Sequence, residues 1–149
     1  AMAIEHGGEG YHVFQRSLLD AALRWAEAPC AGGARPIEDR AVRTRLARVA
    51  AHVELADLLC RRATWAGETG QASRAMGPMA KLFSTETYMR DSADLMALAA
   101  PDSLEGATPA LAEIEAKHRQ AIGQTIYGGT SEIHRIIIAE QALGLPRSA

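Results

Sequence analysis

The 149-residue chain is long enough for one domain with its own core, and its 48% apolar content fits a globular protein. A formal net charge of −2 argues against a nucleic-acid binder, no apolar run approaches membrane-span length, and Cys30 and Cys60 stand alone without the C-x-x-C spacing of a zinc site or a disulfide framework. Only 5% of residues are aromatic, while the helix formers Ala, Leu and Arg abound, so composition points to an all-helical domain over residues 1–149.

The first residues lack the charged start and apolar core of a signal peptide, so a cytoplasmic location is expected. From Tyr11 to about Glu27, Tyr11, Phe14, Leu18, Ala22 and Trp25 recur at steps of three and four, one face of an amphipathic helix. Pro29 ends it, and Gly32, Gly33 and Pro36 mark a loop. A long second helix is predicted from Glu38 to Glu68. Val42, Leu46, Val49, Val53, Ala56 and Cys60 form its seam, widened by Leu55, Leu58 and Leu59, with Arg40, Arg43, Arg45 and Arg48 solvated. Gly67 and Gly70 signal its end.

A third helix begins between Ala72 and Pro78, closer to Pro78 because proline is tolerated only in a first turn. Met79, Leu82, Met89, Ala93 and Met96 supply its expected buried side. Pro101, Gly106 and Pro109 bracket a loop, and Leu111 to about Arg119 reads as a short helix. The last helix, Ser131 to Leu143, carries Ile133, Ile136, Ile137 and Leu143 as expected core, with Gly144 and Pro146 ending it. No segment alternates like a strand. The predicted architecture is an antiparallel, up-and-down four-helix bundle with a short extra helix.

Between the last two helices lies Thr125-Ile126-Tyr127-Gly128-Gly129-Thr130-Ser131-Glu132-Ile133-His134-Arg135. Two glycines allow a tight turn and close approach of a ligand, and Thr130 or Ser131 can cap the helix that follows. Its amino end then offers unpaired N–H groups and a positive dipole end to a nucleotide's phosphate or polar edge. A plain connecting turn has the same spacing.

This stretch, with Ala139-Glu140 and Leu143-Gly144-Leu145-Pro146-Arg147 after it, resembles the C-terminal signature of flavin-dependent acyl-CoA dehydrogenases, in the Tyr-Gly-Gly-Thr-Ser-Glu-Ile form of actinobacterial-type members. Gln15 to Ala22 resembles the first helix of that family's C-terminal domain, His52 to Ala56 and Arg62 to Trp65 its long second helix, and Met79 to Phe83 the start of its third. The matches fall in family order and at family spacing.

The resemblance implies the C-terminal domain of a larger lipid-metabolic enzyme, of the fatty acid β-oxidation type, whose N-terminal and middle domains are absent here. It implies packing into a homo- or hetero-oligomer, dimer or tetramer, and part of an FAD site. Gly129, Thr130, Ser131 and Glu132 match FAD-contacting positions, and Tyr127 and Gly128 match positions lining the acyl-CoA. The family reaction takes the α proton with a glutamate while hydride passes from the β carbon to flavin.

The sequence departs from the family at the base. Where one branch reads Tyr-Glu-Gly-Thr, this chain has Gly128, which moves no proton. A second branch places its base near the first helix, at or before Ala1 in this register; Glu5 or Glu9 would serve only with a shift. The Arg-x-x-Phe-Gly run that approaches the FAD pyrophosphate is replaced by Pro29-Cys30-Ala31-Gly32-Gly33, and a Leu-Gly-Gly run by Leu98-Ala99-Ala100-Pro101. Arg35 and Arg40 are candidate substitutes that read equally as surface arginines. His6, His12, His52, His118 and His134 show no metal spacing, although His118-Arg119 resembles a pair in actinobacterial-type members. The expectation is an isolated chain without catalytic residues, inactive and holding FAD weakly or not at all. The alternative is a non-catalytic partner subunit derived from such an enzyme.

Overall fold

The computed structural model describes residues 10–147 except residue 31 and residues 71–73; Glu5, Glu9 and His6 therefore lie outside the described residues. Six helices follow in order: α1 (Tyr11–Glu27), α2 (Arg40–Glu68), α3 (Met76–Leu98), α4 (Asp102–Glu105), α5 (Pro109–Gln124) and α6 (Ser131–Ala142). No strand occurs among the described residues, and none of their helices is long and apolar enough to cross a membrane.

Helix α1 has the predicted bounds. Helix α2 starts two residues later than predicted because Pro36–Glu38 forms a 3-10 turn and the Asp39 carboxylate then caps the Ala41 amide at 2.7 Å. Its 29 residues span about 44 Å. The whole predicted seam from Val42 to Cys60 is buried. Leu55 and Leu58 do not widen it: Leu58 is 62% exposed. The helix passes through Gly67 and ends near Gly70, whose φ is +67°.

Helix α3 begins at Met76, so Pro78 lies in its first turn. Its buried side is not the predicted methionine stripe. Met79 and Ala93 are exposed, Leu82 and Met89 are half-buried, and of the five only Met96 is buried. Ala80, Lys81, Ser84, Thr85, Thr87, Tyr88, Asp91, Ser92 and Leu95 are buried instead. The reason is position: α1, α2, α4, α5 and α6 all pack on α3, so polar as well as apolar faces are covered.

The predicted short helix at 111–119 is the longer α5, because Pro109 occupies the first turn and the Thr108 hydroxyl accepts from Leu111 N at 3.2 Å. It is α5, not the last helix, that joins α1, α2 and α3 in the bundle. His12–Asp57 (3.6 Å) and Arg16–Glu54 (2.7 Å) link α1 to α2. Arg45–Asp94 and His52–Asp91 (2.8 Å) link α2 to α3, and Ser92 with His118 (3.2 Å) and Tyr88 with Gln120 (3.4 Å) link α3 to α5. In each pair, numbers rise along one helix as they fall along the other, so these neighbours run in opposite directions.

Helix α6 packs on α3 alone among the described helices. Its expected core is accordingly not buried: Ile133 is 49% and Leu143 69% exposed, Ile136 is exposed, and Ile137 and Ile138 are half-buried. The buried residues of α6 are Ser131 and His134.

Leu18, Val49, Val53, Leu95 and Ile114 are fully buried in the core. Leu95→Ala is expected to lower stability by about 2–5 kcal/mol, and Leu58→Ala to change it by no more than about 0.5 kcal/mol. Urea unfolding of both variants checks the contrast.

Candidate functional site

The turn joining α5 to α6 is built from local hydrogen bonds. Ile126 N and Tyr127 N donate to Gly123 O at 3.1 and 3.2 Å, extending α5 by a final turn. The backbone then swings through the left-handed region at Gly128 (φ +71°) and Gly129 (φ +103°), which favours glycine. Thr130 is extended, and its hydroxyl accepts from Ile133 N at 3.5 Å, capping α6.

Two side chains from different helices hold the carbonyls of this turn. His134 of α6 donates from Nε2 to Gly128 O at 3.1 Å. Lys81 of α3 donates from Nζ to Gly129 O at 2.5 Å. A Cβ on Gly129 would stand 2.9 Å from His134 Nε2, so steric room as well as φ requires glycine. Lys81 is 2% exposed and makes no ion pair among the described residues. Burial pushes its ammonium pKa down, with the charge of Glu86 opposing. Glu86 itself pairs with Arg135, tying the exposed side of α6 to α3, and Arg135 reaches Glu132 at 3.8 Å.

Glu132 is exposed, and its carboxylate is held below the usual range by its own backbone N–H, then by the Thr130 hydroxyl and Arg135. Glu132 thus places a carboxylate in the first turn of α6. A phosphate there would face a like charge, whereas a ligand hydroxyl finds an acceptor in the carboxylate. Ser131 is buried, with 8% of its surface exposed. Gly129, Thr130 and Glu132 form one polar edge, with Gly128 and the 55%-exposed Tyr127 beside it.

Behind the turn, the interior is polar. Tyr88 is buried, tilted against Phe14 at 6.3 Å, and its phenol pKa is raised by burial and then by Tyr127. Burial likewise raises Tyr11, with Cys60 and Tyr127 adding to it. Gln15 donates to Thr87 Oγ1 at 2.6 Å. The buried amide of Gln124, the last residue of α5, finds no partner among the described residues. The sequence motifs assign no site role to Lys81, His134, Tyr88 or Gln124. The signal for Lys81 was present: it lies three before Ser84 and seven before Tyr88, one face of a helix.

Arg35 pairs with Glu38 at 3.0 Å, and Arg40 opens α2, which lies beside the C-terminal half of α3 through Arg45–Asp94. Neither is brought to the turn, which sits at the N-terminal half of α3 near Lys81. The loop at residues 29–33 contributes no cation.

Residues 4–143 match the family model for the acyl-CoA dehydrogenase C-terminal domain. Acyl-CoA dehydrogenase FadE26 of Mycobacterium tuberculosis is 34% identical over 136 residues, covering 83% of this chain and 33% of that protein. A chain of the ChsE4–ChsE5 complex from Mycobacterium tuberculosis is 31% identical with a TM-score of 0.76, over 93% of this chain and 36% of its own. Butyryl-CoA dehydrogenase from Megasphaera elsdenii shares the fold, with a TM-score of 0.77 at 18% identity over 89% of this chain and 34% of its own. The chain spans about a third of the length of these relatives.

Two outcomes are expected at the turn. Gly129→Ala should cost about 1–3 kcal/mol from strain and contact with His134, more than the roughly 1 kcal/mol of Thr130→Ala, as denaturant titration would measure. Because Tyr88 has a raised pKa, the folded state keeps its proton after the unfolded state begins to lose it near pH 10. Its contribution is thus intact below about pH 10 and lost as pH rises beyond it. Tyr88→Phe should show a shallower loss of stability than the wild type between about pH 9 and 11.

Proposed function

The chain belongs to the acyl-CoA dehydrogenase family, matching its C-terminal domain over residues 4–143, and from that premise we propose that it completes one wall of an FAD site and packs its enzyme into an oligomer. The observation that carries this reading is the diglycine turn capped by Thr130, which sets Thr130 and Glu132 at the open amino end of α6. These residues fit FAD. The Glu132 carboxylate accepts from hydroxyls, Gly128 and Gly129 leave room for close approach, and the Gln124 amide, which has no partner among the described residues, adds polar capacity behind them. When bound, FAD supplies the hydride acceptor for α,β-dehydrogenation of an acyl-CoA thioester. Tyr127 and Gly128 line the acyl-CoA side in this reading, and the compartment is the cytoplasm.

Gly128 can hold no proton, so this chain alone carries no catalytic base at the signature. The isolated chain is then inactive and retains FAD weakly. The test mixes the purified chain with FAD, an acyl-CoA and an electron acceptor while following flavin absorbance. No bleaching is expected; robust turnover would overturn the proposed inactivity.

A second reading, a non-catalytic partner subunit, is favoured by Gly128 together with the similarity to a chain of the two-component ChsE4–ChsE5 complex. Purification from native cells separates the two. A second acyl-CoA dehydrogenase-like chain in the complex supports the partner role, and a homo-oligomer saturated with FAD excludes it.

A further inference from the structure

We propose that Lys81 is a positioning residue, whose buried ammonium holds the Gly129 carbonyl and thereby sets the path of the turn that presents Thr130 and Glu132. What that edge meets rests on the FAD reading above; the holding of the turn does not.

Lys81 is 2% exposed, and moving an ammonium out of water is unfavourable unless it is well paired. No carboxylate pairs with it among the described residues, and Glu86, whose charge favours the cation, is engaged by Arg135. The ammonium also lies beside the amino end of α6, the positive end of that helix. Filling volume would be achieved at no such cost by methionine. What the ammonium adds is a charge-assisted hydrogen bond to one carbonyl.

That carbonyl is placed where a single bond has leverage. Gly128 and Gly129 are the freest residues in the turn, and neither carbonyl takes part in a helical ladder. His134 holds Gly128 O, but His134 belongs to α6 and moves with it. Lys81 belongs to α3, the helix on which all the others pack, so it alone of the two refers the turn to the core. Arg135–Glu86 gives a second tie five residues further along α3, on the exposed side. Lys81 and Glu86 therefore fix the entry and the rotation of α6, which packs on no other helix among the described residues.

The test uses the full 149-residue chain, labelled for NMR, as wild type, Lys81→Met and Lys81→Arg. Lys81→Met is expected to speed amide exchange across residues 128–134 by about tenfold or more, the loss of one charge-assisted bond, with the amides of α2 unchanged. Lys81→Arg, which keeps a donor and a charge, should recover most of the protection. Exchange at the turn unchanged in Lys81→Met, or raised equally throughout the chain, would overturn the proposal. Should Lys81→Met not fold, the wild type decides: slowly exchanging Lys81 ammonium protons with a through-bond coupling to the Gly129 carbonyl are expected, and their absence overturns it. FAD affinity is measured in parallel in the assembled enzyme carrying each variant. A loosened turn with unchanged FAD affinity counts against the cofactor reading alone.

Discussion

The fold depends on the enclosure of α3. Five other described helices pack on it, and a helix surrounded in that way cannot keep all of its polar residues in water. Each buried polar group must instead find a partner inside or remain as a cost. Asp91 meets His52, Ser92 meets His118 and Thr87 meets Gln15, each on a different neighbouring helix. These bonds set the rotation of α3 against α2, α5 and α1 more sharply than apolar contact would. Lys81 extends the same pattern to the turn before α6.

The long seam of α2 was legible because one side of that helix faces the bundle and the other faces water, the condition under which period and burial coincide. For α3 that condition fails. Its methionines look like a core stripe, yet Met79 is exposed while Lys81 beside it is buried. The isoleucines of α6 mislead for the opposite reason. Their spacing describes an apolar surface correctly, but spacing does not say whether a neighbour is present, and among the described helices only α3 lies against this one. The fourth bundle member was hidden in α5, whose true length depended on the Thr108 cap and Pro109.

At the candidate site, the turn itself could be read from Gly128, Gly129 and Thr130, since backbone freedom and capping are local properties. The pairing of Glu132 could not, because its partner Arg135, at 3.8 Å, is itself held by Glu86 on α3. An anion in the first turn of α6 suits this edge better to hydroxyl groups than to phosphate. The burial of Ser131 was equally inaccessible: a cap residue and its neighbour look alike in sequence, and only the direction of α6 against α3 decides which faces inward.

The single-helix attachment of α6 has a thermodynamic consequence. A segment with one packed neighbour among the described helices detaches at a lower free energy than the four helices that enclose one another, so the described residues divide into a robust unit and a peripheral one. Thr130 and Glu132 sit at their junction. Any molecule that requires this edge is bound only by the fraction of chains with α6 docked, and its apparent affinity is weakened in proportion. Whatever covers the outer face of α6 would raise that fraction, so assembly and binding would strengthen one another without touching.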